Sequence, residues 1–151
     1  MAAEYLANER QNVDLNSPIL FDASIPCNNG NVFHENQTGI FILRGNTPNC
    51  FARYEIIYRG NIAVPDGGTA GPVATAITVN GEIRPTSRAI SSPTATEEFN
   101  NVTSTAIVTV PRGCCFTVSV RAVSGLVDDP AGVPAPVTSV VNSSLTINRT
   151  V

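Results

Sequence analysis

The segment VTSTAIVTVPRGCCFTVSVRAV, residues 102–123, decides the fold class of this chain. Up to residue 110, apolar and small side chains alternate with threonines and one isoleucine, which is the two-residue period of a strand with one buried face. The sequence then turns at Pro111–Arg112–Gly113 and alternates a second time, with one face formed by Phe116, Val118, Val120 and Ala122. Two alternating segments joined by a short turn predict an antiparallel β-hairpin.

The rest of the chain repeats this pattern of strands and turns. Residues 12–22 predict one strand interrupted at Pro18, residues 51–59 alternate cleanly, and the strand predicted at residues 73–79 leads into Asn80–Gly81. That pair suits a two-residue hairpin loop because both residues tolerate positive φ. No segment has a helical period, so we predict roughly eight to ten strands in an all-β, two-sheet antiparallel jelly-roll sandwich. An immunoglobulin sandwich is the alternative, but its buried Trp and flanking Cys pair are missing.

The N-terminal segment MAAEYLANERQ differs from the strands that follow it. It mixes polar residues with Tyr5 and Leu6, and too few apolar positions repeat for a stable helix. We predict an arm over residues 1–11, held by neighbouring subunits, and one jelly-roll domain over residues 12–151. The segment does not have the basic start and apolar run of a signal peptide. No stretch reaches the roughly 18 apolar residues of a spanning helix, so we expect no membrane partner.

The charge of the chain argues against nucleic acid as a partner and favours contacts with other protein subunits. The net charge is −3, and the nine basic residues are arginines scattered along the chain. Without a basic run, a nucleic-acid partner is not expected. Only 14% of the residues are charged, against about a quarter in an average soluble domain. We therefore expect subunit contacts to hide part of the surface. The alternative is an extracellular domain coated with Thr, Ser and Asn.

The sequence offers little that could perform catalysis. His34 is the only histidine, and no serine has nucleophile-elbow spacing. The acid pairs Glu97–Glu98 and Asp128–Asp129 are adjacent in sequence, so on a strand they would point to opposite faces. The loop at residues 64–72, VPDGGTAGP, does not have the spacing of a phosphate-binding loop. We predict neither an enzyme nor a cofactor.

Four cysteines, Cys27, Cys50, Cys114 and Cys115, leave several alternatives open. They could form disulfides, for which three connectivities exist. They could equally be buried, reduced thiols that behave as small apolar side chains. A zinc site is a third alternative, but the paired CxxC spacing is missing.

Several longer strings carry a resemblance to known proteins: FILRG at 41–45, CFARYEIIYRGNIAVPDGGTAGP at 50–72, VNGEIRPTSRAI at 79–90 and FNNVTSTAIVTVPRGCCFTVSV at 99–120. They resemble proteins of gut clostridia and their phages that look like tumour-necrosis-factor-like jelly rolls. These proteins are similar to the C-terminal domains of collagen-like spore-surface proteins. The resemblance extends from Val13 to Val151 and implies a trimer without enzymatic activity. This chain departs from the group in having no Gly-X-Y repeat. Its loop Leu126–Pro136 is also longer, which suggests a binding tip or an assembly contact.

The resemblance and the composition together predict a structural protein. We expect a homotrimeric head-decoration or fibre module of a phage virion, with a capsid or other virion protein as partner. The alternatives are a subunit of a spore or cell-surface appendage and, third, a carbohydrate-binding module. The third ranks last because sugar sites favour exposed aromatic rings, and the chain has no Trp.

A trimeric jelly roll would place apolar side chains of one sheet around the threefold axis. On this basis we predict trimer contacts by the face of residues 51–59 that carries the tyrosines, or by its opposite face. Further contacts would come from the strand at 115–123 and from the arm. The predicted contact residues are Tyr5, Leu6, Tyr54, Ile56, Tyr58, Val118 and Val120.

Overall fold

The computed structural model describes residues 2–25, 30–125 and 137–151, and it confirms the predicted two-sheet jelly-roll sandwich. Sheet A contains β1 (Ala2–Ala7), β2 (Gln11–Val13), β3 (Ala23–Ile25), β6 (Phe51–Ala63), β10 (Asn100–Pro111) and β12 (Thr138–Arg149). Sheet B contains β4 (Val32–His34), β5 (Phe41–Arg44), β7 (Val73–Val79), β8 (Glu82–Ile83), β9 (Ala89–Ser91) and β11 (Cys115–Ser124). The described residues include one short 3-10 helix, Pro85–Ser87.

The chain passes between the two sheets several times, so that β6, β10, β11 and β12 each lie in a different sheet from the strand that precedes them. Sheet A runs β10-β6-β12-β1-β3, with β2 also paired to β12. Sheet B runs β4-β5-β11-β7-β8, with β9 also paired to β7. All these pairs are antiparallel. The large side chains of the core lie between the two sheets; those with the least exposure are Tyr54, Tyr58, Phe21, Phe41, Ile19, Leu43, Ile56, Ile62, Ile77, Leu145, Ile147 and Val73.

The predicted hairpin at residues 102–123 is correct in its strands and wrong in its pairing. β10 pairs with β6, whereas β11 pairs with β5 and β7 in the opposite sheet. The turn between them is tied to the loop after β5: Gly113 N–H donates to the Gly45 carbonyl at 3.0 Å, and Gly45 N–H donates to the Cys114 carbonyl at 2.8 Å. The chain therefore crosses between the sheets here, because the apolar faces of β10 and β11 meet across the core.

The hairpin predicted at Asn80–Gly81 is confirmed. Both residues have positive φ, 51° and 83°, and Val79 pairs with Glu82 across the loop. The Asn80 side chain adds a second anchor, because its Oδ1 accepts a hydrogen bond from Thr117 N–H of β11 at 3.0 Å. The loop therefore connects β7 to β8 and also fixes the start of β11.

The predicted N-terminal arm is wrong for residues 2–7, because these residues form β1 inside sheet A. β1 pairs with β12 on one side and with β3 on the other. The Tyr5 ring packs edge-on against Phe41, with 4.7 Å between ring centroids. The predicted boundary between residues 11 and 12 falls within β2. Alanines dominate β1, and alanine is uncommon in strands, so the sequence signal was weak.

The single strand predicted over residues 12–22 is also wrong. β2 ends at Val13, and Asn16 adopts a positive φ of 64° that changes the direction of the chain. The segment then runs beside β11, where Ile19 N–H donates to the Val120 carbonyl at 2.8 Å. Because Pro18 has no N–H to donate, the pairing remains an isolated bridge with Arg121. Residues 14–22 therefore leave sheet A after β2, run beside β11 of sheet B, and return to sheet A at β3.

Candidate interaction surface

Most of the residues predicted as trimer contacts lie in the core of a single chain. The buried ones are Tyr5, Tyr54, Ile56, Tyr58, Val118 and Val120. Tyr54, Ile56 and Tyr58 have 0% exposed surface, so a second copy could not touch them without unfolding this one. The prediction is therefore wrong for these six residues. Leu6 is half-buried and lies on the outward side of β1.

Polar partners explain how tyrosines occupy the core. Tyr58 Oη lies 2.9 Å from Ser143 Oγ, beside a β12 irregularity at which Asn142 has a φ of 52°. Burial raises the pKa of Tyr58 far above its usual range, although the Ser143 hydrogen bond opposes this shift. The Tyr54 hydroxyl donates to the Arg44 carbonyl at 2.6 Å, and burial also raises its pKa. Both tyrosines are thus neutral structural groups.

The sequence analysis gave the opposite face of β6 as the alternative contact face. Its side chains point away from the core, as do those on the same side of the other strands of sheet A. This outer face of sheet A consists of the outward side chains of its strands, among them Leu6, Ile25, Phe51, Ile57, Thr103, Thr105, Ile107 and Thr146. Ile107 is 62% exposed, the highest value among the large apolar side chains of the described residues, and Ile25 is 55% exposed. Charged side chains lie among them, since Glu55 is the cross-strand partner of Ile107 and Glu4 that of Ile25, so this face of mixed character is a candidate interaction surface.

Sheet B differs because part of its outer face is already covered. Ala74, Ala76 and Val123 form a second small buried cluster, with Ile83 packed against it. Ile83 belongs to β8, so the chain folds its own segment over this part of the sheet. Sheet B exposes Phe33 at 49% on β4 and Ile90 at 42% on β9, both at its margins, so the outer face of sheet A, with the more exposed Ile107 and Ile25, is the better candidate for contacts with another molecule.

The edge strand of sheet A has an unusual composition. Within the part of the chain that the structure describes, β10 pairs with β6 alone and ends the sheet, yet its sequence NNVTSTAIVTVP has no charged residue. Exposed edge strands commonly carry charges, which discourage pairing with other chains. Because this uncharged edge strand itself carries the exposed Ile107, the candidate surface extends to the margin of the sheet.

Three cysteines are free and exposed: Cys50, Cys114 and Cys115. This corrects the alternative of buried thiols for these residues, and no disulfide joins them. They are exposed because they belong to the two turns that link β5 to β6 and β10 to β11, with Cys115 at the first position of β11. Cys27 and the loop Leu126–Pro136 lie outside the described residues, so the predicted assembly role of that loop stays a prediction.

A group of arginines surrounds the same two turns. Arg149 Nη2 donates to the Asn46 carbonyl at 2.9 Å, and Arg44 Nη1 donates to the Gly30 carbonyl at 3.3 Å. Arg112 directly precedes the Gly113 turn, and Arg53 lies over the Phe51 ring at 5.3 Å from its centroid. Within the described residues, none of these four arginines forms an ion pair with a side-chain carboxylate. We call them the basic end of the sandwich.

A cavity of about 370 Å³ opens at the basic end. Its lining includes Arg44, Arg112, Thr47, Cys114 and Cys115, and no carboxylate contributes to it. Cationic groups without an acidic partner create a positive potential, which favours negatively charged groups of another molecule. The sequence did not predict this cluster, because its members are separated by up to about a hundred residues in a chain of net negative charge.

His34 is a packing residue in this fold. Its ring stacks on Phe41 at 4.2 Å between centroids, and its Nε2 lies 2.9 Å from the Thr38 carbonyl. Nδ1 is buried without a hydrogen-bond partner. No group of three or more His, Cys, Asp or Glu in the described ranges is arranged to bind a metal ion. No helix among the described residues is long and apolar enough to cross a membrane.

Comparisons with known proteins agree on the fold. No protein-family model and no curated protein matches the sequence. Among solved structures, the globular domain of zebrafish complement 1qA protein matches with a TM-score of 0.60 and 13% identity, over 97% of this chain and 94% of that chain. Eiger TNF from S. frugiperda matches with a TM-score of 0.63 and 13% identity, over 100% of this chain and 92% of that chain. Murine APRIL matches with a TM-score of 0.53 and 12% identity, over 97% of each chain.

The fold is therefore a tumour-necrosis-factor-like jelly roll, as the sequence resemblance implied. Identities this low establish the shared fold and leave function to the surfaces of this chain. The clostridial and phage context of the resemblance stays a prediction.

Proposed function

We propose that this protein is a non-enzymatic structural module that assembles as a homotrimer through the outer face of sheet A. The observation that carries the proposal is the exposure of Ile107 on a broad uncovered face, within an uncharged edge strand. The resemblance to tumour-necrosis-factor-like jelly rolls supports three copies rather than two. The low share of charged residues, 14%, supports a chain that hides surface in subunit contacts.

The energetic argument rests on the apolar side chains of this face. Full burial of an isoleucine contributes about 1.5–3 kcal/mol relative to exposure. Ile107 and Ile25 are more than half exposed in one chain, and Ile57 between them is partly exposed. In a closed trimer every copy buries the same apolar side chains of this face, so the burial free energies of the three copies add.

Light scattering on the purified protein tests the assembly. We expect three times the chain mass for the wild type, with and without reductant. The variant Ile107→Asp would place a charge in the contact, and we expect its association to weaken more than about a hundredfold, leaving folded monomers. Circular dichroism would show an unchanged β-sheet spectrum, because Ile107 is outside the core.

The variant Ile40→Asp is the matched control, because Ile40 is also exposed, at 51%, but precedes β5 of sheet B. It should remain trimeric. A wild type that stays monomeric at high concentration contradicts the proposal, and so does equal dissociation of the two variants. Polymers that dissolve on reduction would instead favour a disulfide-linked appendage.

We further propose that the trimer belongs to a phage particle, as a head-decoration or fibre module bound to a capsid or other virion protein. The alternative is a spore or cell-surface appendage. Since residues 2–7 belong to sheet A, docking to a larger assembly would use a face or an end of the sandwich rather than a free arm.

Mass spectrometry of purified phage particles and of washed spores separates these two locations. We expect peptides of this chain at constant stoichiometry with the major capsid protein, surviving extensive washing of the particles. Their absence from particles together with recovery from spores would overturn the virion proposal and support the appendage.

A further inference from the structure

The two ends of the sandwich carry opposite charge. The basic end holds Arg44, Arg53, Arg112 and Arg149, where β6 begins and where β5, β10 and β12 end. The loops that connect these strands, residues 45–50 and 112–114, have no Asp or Glu. Arg44 and Arg112 are exposed, so their guanidinium groups can reach another molecule.

The opposite end is acidic. It lies where β6 ends and β10 and β12 begin, and its exposed carboxylates are Glu9, Asp14, Asp66, Glu97 and Glu98. Arg10 neutralises Glu97 in a two-pronged ion pair, with Nη1 to Oε2 at 2.6 Å. The side chains of Glu9, Asp14 and Asp66 have no ion pair within the described residues. We call this set the acidic end.

We propose that copies of this protein stack end to end, with the basic end of one copy against the acidic end of the next. Complementary potentials on opposite ends attract each other and align the copies before contact. The cavity between Arg44 and Arg112 is open and contains no carboxylate of its own, so it can accept one from a neighbour. Because a head-to-tail contact uses two different surfaces, it does not close on itself and generates a linear stack.

The stacking contact is independent of the proposed trimer, because it uses the ends of the sandwich and the trimer uses the outer face of sheet A. Whatever unit persists at high salt, a monomer or a trimer, would be the unit that stacks. The mass at high salt therefore tests the trimer, and the growth of mass at low salt tests the stacking.

Sedimentation velocity at two salt concentrations tests the stack, with reductant present so that Cys50, Cys114 and Cys115 cannot cross-link copies. At about 20 mM salt, where screening is weak, we expect the weight-average mass to be at least about twice its value at about 0.5 M. The double substitution Arg44→Glu/Arg112→Glu cancels the net charge of the basic end, because Arg53 and Arg149 remain there, and should abolish this growth. The double substitution Asp14→Arg/Asp66→Arg cancels the net charge of the acidic end, where Arg10 already lies, and should do the same.

An equimolar mixture of these two double variants gives the sharpest result. Each variant alone has lost one of its two charged ends, but in the mixture the unchanged acidic end of one variant can meet the unchanged basic end of the other. At the second contact the introduced glutamates of one variant meet the introduced arginines of the other, so we expect the mixture to recover growth at low salt, as an alternating stack. If either double substitution disturbs folding, the neutral pair Arg44→Gln/Arg112→Gln should still weaken growth of an otherwise intact protein, because it removes two of the four positive charges of the basic end.

Arg84→Glu changes the net charge of the protein as much as the Arg44→Gln/Arg112→Gln pair does and is its control, because Arg84 is exposed, between β8 and the 3-10 helix, and belongs to neither end. It should stack like the wild type. A wild-type mass that does not depend on salt overturns the proposal. Failure of the mixture to recover growth also overturns it, and so does equal loss in Arg84→Glu.

Discussion

The variant Tyr58→Ala is expected to lose about 3–5 kcal/mol of unfolding free energy, which is the usual cost of removing a buried aromatic ring. The Tyr58 ring has no exposed surface and packs in the core, and its hydroxyl is the partner of the buried Ser143. Truncation would leave both a cavity and an unpaired hydroxyl. A domain of ordinary stability has about 5–15 kcal/mol in total, so much of the protein would unfold.

Urea unfolding at a fixed protein concentration measures this loss, since association would otherwise contribute to the apparent stability. Ile57→Ala is the matched control, because Ile57 is the preceding residue on β6 and points outward. It should cost about 1 kcal/mol or less within one chain while weakening association. A Tyr58→Ala protein that dissociates into monomers of wild-type stability would show that Tyr58 is a subunit contact after all.

The second large effect is expected at Gly45, where the turn after β5 meets the turn between β10 and β11. A Cβ atom at Gly45 would overlap the Pro111 carbonyl oxygen and approach the Cys114 carbonyl oxygen at 3.2 Å. Both obstacles are backbone atoms, which cannot rotate away. We expect Gly45→Ala to cost about 3 kcal/mol, the upper range for overpacking, and to loosen the basic end.

Gly113→Ala is the control in the same pair of turns. Gly113 has a φ of +80°, and no atom lies within 4 Å of the position that a Cβ would occupy, so this change adds backbone strain without a clash. It should cost about 1 kcal/mol. Thermal unfolding of both variants compares the two effects. Equal losses would mean that the Gly45 backbone moves freely and that the close approach is not a constraint.

Sequence patterns predicted the strands of this protein better than their partners. Alternation correctly located β6, β10 and β11, because a strand with one apolar face has a two-residue period. It could not show that β10 and β11 belong to different sheets, since a short turn permits both a hairpin and a crossing. The partner of β10 is β6, about fifty residues earlier in the chain, and only long-range packing selects it.

The candidate surfaces were harder to predict than the fold. On β6, large apolar residues occur on both faces, Tyr54 and Tyr58 on one and Ile57 on the other, so hydrophobicity alone did not identify the buried face. Hydroxyl partners such as Ser143 decide that the tyrosines are inside, and these partners come from another strand. The sequence did not predict the basic end for the same reason, because its arginines come together only when four separate strand ends meet.

The sequence by itself determined that this chain is an all-β sandwich with short turns and without a helical region, because local periodicity and turn chemistry depend on neighbouring residues. The tertiary structure alone decided which face of each strand is buried, that residues 2–7 join sheet A, and that charges collect at opposite ends. The physical reason is that burial and electrostatic potential are sums over residues distant in sequence. Burial and electrostatic potential are therefore defined only once the chain has folded and these distant residues have fixed positions.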